Sequence, residues 1–395
     1  MLPQHTEVLI VGAGPTGLAL ALSLQRAGVP HVLIDRLNRG ENTSRAAVVH
    51  AHTIECLEKL GVSQTLIAQG LKVDRFAIRD RDQPLLDLDF SALPSPYPFL
   101  LMVPQDVTER VLAEKLAEAG GIVHRGITAT AFQNHSDGVT ATLATAHGVA
   151  TVKAKYVVGA DGFRSGVRQA AGIGFEGDAY PETFVLADVK MDWCMDQREV
   201  SLFFSPAGLV VVAPLPGGAY RIVATVTNAP AHITKADVQA LIDERGPAYS
   251  RSLVHDVIWS SRFNIHHRLA ETYRRERFFI MGDAAHVHSP AGGQGMNTGL
   301  VDAVVLGELL AGVLTGTRPE ADLDAYGTLR RPAADIVLKM AGRLTSAATV
   351  RNTPQRIVRN SILSLANHMG FARNKLVMNL SGLSRKNLSV LPPAA

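Results

Sequence analysis

Hydrophobic and polar positions alternate with two different periods along the chain. Glu7 to Val11 (EVLIV) is a short, apolar, β-branched run, the pattern of a strand buried on both faces. GAGPTG follows at residues 12–17, and Leu18 to Ala27 then reads as a helix stopped by Gly28. His31 to Asp35 (HVLID) reads as a second strand, so the chain opens on a strand-turn-helix-strand unit. Thr53 to Leu60 places Ile54, Leu57 and Leu60 at helical spacing before Gly61. Asp106 to Glu118 predicts an amphipathic helix closed by Gly120 and Gly121. Thr128 to Thr145 alternates about a turn at Ser136, Asp137 and Gly138, a hairpin pattern. Tyr156 to Ala160 and Arg277 to Met281 return to buried-strand composition.

Between these elements the style changes. Residues 73–98 alternate weakly and carry Pro84, Pro94, Pro96 and Pro98, which predicts an excursion into a second domain. Residues 183–227 hold runs such as EVSLFF and GLVVVAPL between turns, the pattern of antiparallel sheet. From Leu300 onward the pattern is helical. Thr353 and Pro354 predict one helix start, and Gly370 its end. The expected architecture is α/β, with two interleaved domains and a helical C-terminus. The boundaries are 1–72, 99–180 and 270–330 for the first domain, 73–98 and 181–269 for the second, and 331–395 for the C-terminal helices.

Composition narrows the class. The 395 residues are 47% hydrophobic and 19% charged, which excludes a disordered chain. Two cysteines, Cys56 and Cys194, exclude a disulfide scaffold or a multi-cysteine metal centre and point to a reduced, cytoplasmic setting. The N-terminus lacks the basic region of a signal peptide, and no uninterrupted apolar run reaches the ~20 residues of a membrane span. The net charge of +3 is uneven: residues 330–395 carry +10 and the remainder −7. Those basic residues are spaced among apolar helix positions such as Ile357, Val358 and Ile362, the pattern of a solvated face. A protein binding membrane or RNA through this region is the less economical reading.

Gly12, Gly14 and Gly17, with Pro15 between them, form GxGxxG after a strand and before a helix. Gly12 permits the turn, Gly14 lets a pyrophosphate approach the backbone, and Gly17 lets the helix pack on the sheet. The helix N-terminus offers N–H groups and a positive dipole. Asp35, followed by Arg36, ends the second strand where a carboxylate can accept from ribose hydroxyls. A glycine turn without ligand is the plain alternative, and the motif alone does not separate FAD from NAD.

Two more motifs follow in order: GADGFRS at 159–165 and FFIMGDAAHVHSPAGGQGMNTG at 278–299. Together with GAGPTG they resemble the fingerprints of the group A flavoprotein monooxygenases, the para-hydroxybenzoate hydroxylase-like aromatic hydroxylases. The phenol and hydroxyphenylpropionate hydroxylase branch, with its polyketide relatives, is the most similar. The resemblance implies a Rossmann-like FAD-binding domain interleaved with an antiparallel-sheet substrate domain. It also implies FAD as cofactor and NADPH or NADH as transient co-substrate, with O2 adding at the flavin C4a position to form a hydroperoxide. The terminal oxygen then passes to a phenolic or other electron-rich ring.

The same resemblance places site residues. Asp283 would meet the ribityl chain, and Asp161 would stabilise a turn serving FAD and the nicotinamide dinucleotide. Arg45 and Gln105 would contact FAD. Gly292, Gly293 and Gly295 would leave a bare backbone path to the flavin, Met296 and Asn297 would present backbone N–H groups to it, and Pro290 would sit at its oxygen-reacting edge. Val301 and Val304 depart from the family pattern on a helix face. A thioredoxin-like C-terminal domain, carried by many relatives, is expected to be absent.

The expected substrate pocket lies between the 183–227 sheet and the flavin, with Phe203, Phe204, Val211 and Pro214 as candidate walls and Arg221 as a candidate anion contact. Ordinary sheet core is the competing reading of the walls. His50, His52, His266, His267, His286 and His288 are possible bases, each more economically a structural histidine. No metal, nucleic-acid or protein-nucleophile chemistry is expected. A reductase or oxidase on the same fold is the alternative; a halogenase is disfavoured because Trp193 and Trp259 are isolated. Monomer and dimer stay open.

Overall fold

The computed structural model describes residues 2–39, 46–227, 230, 232–350 and 352–394, with the backbone alone at 179–182 and 264–265. Its first sheet orders Arg274–Arg275, Phe278–Ile280, Gly148–Gly159, His5–Val11, His31–Asp35 and Val123–Arg125. Neighbours in that series pair parallel from Phe278–Ile280 onward. The hairpin Thr128–His135 and Gly138–Thr145 extends Gly148–Gly159 on its antiparallel side. The register matters for function. Val11 faces Gly159 and Gly159 faces Ile280, so all three motif loops leave the sheet at one level. A ligand crevice is expected at the carboxyl ends of such parallel strands.

The first helix runs Pro15–Arg26, starting earlier than its apolar pattern suggests because proline is well suited to the first turn. It packs against Gly295–Leu314. At their crossing a Cβ on Gly307 would come within 2.3 Å of Ser23 Oγ. That second helix is long and apolar enough to cross a membrane by composition, with mean hydropathy 1.5, but 72% of its apolar window is buried by the protein itself. Val301 and Val304 lie on its buried face.

The second sheet runs Gln83–Asp89, Arg75–Asp80, Glu199–Ser205, Gly208–Pro214, Ala219–Val226, Phe175–Asp192, Leu253–Ala270 and His286–Val287. The hairpin at 75–89 therefore belongs to this sheet. One pairing departs from antiparallel expectation: Glu199–Ser205 runs parallel to Arg75–Asp80. The 18-residue strand Leu253–Ala270 is not legible from periodicity, because Arg, His, Ser and Asp interrupt it. Alternation sends Phe203, Val210, Val212, Tyr220 and Ile222 into a core closed by the helix Lys235–Arg245. It sends Phe204, Leu209, Val211 and Ala213 into the larger core that the first sheet also joins, with Arg359 of the C-terminal helices over the Phe204 ring at 4.7 Å. At the C-terminus, Thr353–His368 is a helix, and Gly370 begins another, Gly370–Leu380, rather than ending the first.

Candidate functional site

The three motifs interlock through glycines. Gly12 has φ +105°, and a Cβ there would lie 2.3 Å from the Ala160 carbonyl oxygen. A Cβ on Gly17 would lie 1.9 Å from the Gly12 oxygen. Cβ atoms on Gly282 and Gly299 would meet Thr16 Oγ1 at 2.9 and 2.6 Å. Gly14 is different. Its φ is −74°, and nothing lies within 4 Å of the position its Cβ would take. Backbone strain and packing explain Gly12 and Gly17, but neither requires glycine at 14. It keeps open space at a helix start that has neither a side-chain cap nor an acid in its first turn. The space and the uncapped N–H groups suit the pyrophosphate of a dinucleotide.

Asp35 is fixed at the end of its strand: Oδ2 accepts from Ala13 N at 2.6 Å and Oδ1 from Leu37 N at 2.8 Å. Arg36 beside it is exposed, and Arg45 lies outside the described residues. Asp161 accepts from Val167 N at 3.2 Å, stabilising the turn into the short helix Gly166–Ala170. Its Oδ1 is buried without a hydrogen-bond partner, and burial pushes the carboxyl pKa up. Asp283 is exposed in the turn after Phe278–Ile280.

The segment from Pro290 to Asn297 is held from behind. Pro290 O accepts from Gly293 N at 2.9 Å. Gly293 has φ +62°, and a Cβ there would strike Val48 Cγ1 at 2.2 Å. Asn297 Nδ2 donates to Val48 O and Gly293 O at 2.9 and 2.7 Å, while its Oδ1 accepts from His50 N at 2.8 Å. The helix starting at Gly295 has no side-chain cap, so N–H groups in the Gly295–Asn297 turn are left to other acceptors. Gly295 and Met296 are half-buried. Gln105 Oε1 accepts from Ala46 N at 3.3 Å, and its Nε2 donates to Glu109.

The FAD binding domain family, FAD_binding_3, matches residues 5–341. The chain belongs to this family. It is 36% identical over 354 residues to 6-methylpretetramide 4-monooxygenase of Streptomyces rimosus, covering 88% of this chain and 63% of that relative. It is 35% identical over 339 residues to pentachlorophenol 4-monooxygenase of Sphingobium chlorophenolicum, covering 84% and 63%. The chain thus spans less than two thirds of the length of these two relatives. Among solved structures, OxyS anhydrotetracycline hydroxylase from Streptomyces rimosus superposes with TM-score 0.80 at 33% identity, covering 96% of this chain and 76% of that one. The p-nitrophenol 4-monooxygenase PnpA from Pseudomonas putida DLL-E4 shares the fold with TM-score 0.86 at 24% identity, covering 98% and 99%.

Within this FAD-binding chain three sequence-derived substrate contacts need correction. Phe203 is fully buried on the far side of the second sheet, edge-on to Trp193 at 6.1 Å. The strand period of two aims it away from the larger core, and Phe204 takes the opposite face. Pro214 is buried and shares strand parity with Val210 and Val212, again on the far side. Arg221 is 2% exposed, and both Nε and one terminal nitrogen donate to Asp188 at 2.7 Å. Another donates to Ala46 O at 2.7 Å. Its charge is spent inside the protein, tying the sheet to the segment before Val48. Val211 is half-buried and packs against the larger core, on the opposite face from Phe203.

Two working residues were not legible. Arg168, buried, donates to Ala284 O and Phe163 O at 2.8 and 2.9 Å, joining the second motif to the third. Asp302, fully buried, accepts from His286 Nε2 at 2.7 Å and Arg330 Nε at 2.8 Å. Burial pushes its pKa up, but His286 and Arg330 outweigh this and hold the carboxyl below its usual range. A lone acid inside an apolar helical run is the one signal that could have found it. Burial drives His50 and His288 down to about 4, which keeps both neutral at pH 7.

Proposed function

We propose that the chain is an FAD-dependent monooxygenase that hydroxylates a phenolic or other electron-rich aromatic compound, using NADPH or NADH and O2. The observation that carries the reading is the open cradle at Gly14, bounded by two loops that the sheet register brings to the same level. The relatives support it, since two are named as monooxygenases, one of them of pentachlorophenol. FAD held in this cradle would supply the redox chemistry that links a reduced nicotinamide and O2 to hydroxylation of an aromatic ring.

The chain's residues bind and orient. Gly12, Gly14, Pro15 and Gly17 hold the pyrophosphate against the first helix, and Asp35 accepts from the ribose. Asp283, Gln105 and Arg45 serve the remainder of the cofactor. Gly293, whose own N–H is held by the Pro290 carbonyl, and Gly295 would keep the backbone bare there, and Met296 and Asn297 in the uncapped first turn would offer N–H groups to the flavin ring, where negative charge grows on reduction. Pro290 shapes its reacting edge. Phe204 and Val211, on the sheet face turned toward the larger core, form an apolar wall that excludes water from the ring to be hydroxylated.

The test is purification with flavin, followed by NADPH and NADH oxidation against a panel of phenols and aromatic polyketides. The expected result is oxidation stimulated by one substrate class, with a product heavier by one oxygen atom. Flavin-dependent NADPH oxidation that no aromatic compound stimulates, with no oxygenated product, would favour the reductase or oxidase reading.

A further inference from the structure

Between the Gly292–Asn297 loop and the C-terminal segment lies a small cavity of about 20 Å³. That is room for one water-sized or halide-sized species. Its walls include His50, His52, Gln294, Thr298, Arg330 and Arg385. The two arginines are 3% and 8% exposed.

Their charges are not equally matched. Arg330 donates to Asp302, which His286 shares. Arg385 donates to the Asn379 carbonyl at 2.9 Å and to Gln294 Oε1 at 3.0 Å, both neutral. Among the described residues no carboxylate pairs with it. The nearby acid Glu55 is taken by Lys386 at 2.9 Å and by Ser95 at 2.7 Å. Burial, with the neighbouring arginines adding to it, drives His50 and His52 down to about 4, so neither carries charge at pH 7. Arg385 is pushed down to about 10 by burial and by Arg330, and stays cationic. The cavity wall therefore holds one positive charge without a counter-charge.

We propose that this cavity binds one small monovalent anion, chloride being the available one, seated between the guanidinium groups of Arg385 and Arg330 beside His50. An unpaired buried cation is costly, and a halide of matching size offsets that cost without a directional acceptor set. The ion also has a structural consequence. His50 Nε2 contacts the Gly292 carbonyl at 2.9 Å, and Gln294 Nε2 donates to the Leu380 carbonyl at 2.9 Å. An anion in their midst fastens the glycine loop to the C-terminal segment. The inference rests on these side chains alone and does not depend on the reaction proposed above.

Two measurements test it. Crystals of the flavin-loaded protein grown in bromide, measured at the bromine absorption edge, should show an anomalous peak within hydrogen-bonding reach of Arg385 and Arg330. Thermal unfolding in chloride, bromide or gluconate at equal ionic strength should give a melting temperature a few degrees higher in the two halides, rising with the logarithm of halide concentration. In R385Q that halide dependence should vanish. An ordered water without anomalous signal at this position, or melting temperatures equal in all three salts, overturns the proposal. If R385Q does not fold, the wild-type bromide map decides alone.

Discussion

Serine at position 14 separates what the fold needs from what the ligand needs. Gly14 is the N-cap of the first helix, with φ −74° and ψ −175°, a conformation open to any residue. Serine is at least as good an N-cap as glycine, by a few tenths of a kcal/mol. Its Cβ would meet no protein atom within 4 Å. Gly14→Ser should therefore leave the melting temperature of the apoprotein unchanged or slightly raised. The added atoms would occupy the space assigned to the pyrophosphate. Overpacking of that kind costs about 1–3 kcal/mol, which at 1.4 kcal/mol per decade weakens FAD binding about 5- to 150-fold. Gly12→Ser is the contrast. Its Cβ would sit 2.3 Å from the Ala160 oxygen, on a backbone with φ +105°. Strain and overlap together cost about 2–6 kcal/mol, so this variant should melt early with or without flavin. The assay is fluorescence titration of apoprotein with FAD, beside calorimetry of both apoproteins. Unchanged FAD affinity in Gly14→Ser, or an apoprotein destabilised as much as in Gly12→Ser, would refute the assignment of the open space to the cofactor.

Three further outcomes follow from the side-chain geometry. Asp302→Asn leaves Arg330 buried without its counter-charge and should lower stability by about 3–5 kcal/mol in denaturant unfolding. Because the folded Asp302 pKa is depressed, its stabilisation is present above the unfolded value of about 3.9 and lost as pH falls through and below it. Acid unfolding should therefore be shallower in Asp302→Asn than in the wild type over that range. His50 and His288 are also depressed, to about 4, so the unfolded chain takes their protons first as pH falls. Melting temperature should drop between about pH 6.5 and 4, and His288→Asn should flatten that slope. Phe203→Ala should cost about 3–5 kcal/mol of stability without changing substrate preference, whereas Val211→Phe should raise KM for bulky substrates more than it changes stability, as read by steady-state kinetics and calorimetry.

The parallel strands, the first helix and the three glycine motifs were legible in the chain because each is local. A buried strand is a short β-branched run, and a phosphate-binding turn is a fixed spacing of glycines. The resemblance carried by those motifs was enough to expect FAD. The face of the second sheet was not legible. Both faces are covered: every residue of Glu199–Ser205 is buried, the polar Glu199 and Ser201 included, and GLVVVAP has no polar side chain, so alternation does not separate a solvent face from a core face. Only the docking of Lys235–Arg245 on one side decided that Phe203 points away from the larger core and Phe204 into it. Arg221 carried the same ambiguity: a cation in a strand reads as a ligand contact until Asp188, 33 residues earlier, is seen across the pairing. Asp302 and Arg385 depended on segments separated by 28 and 91 residues from their partners. Local sequence records propensity and spacing, while charge pairing, burial and the direction of a side chain in a two-sided sheet are set by what tertiary packing brings alongside.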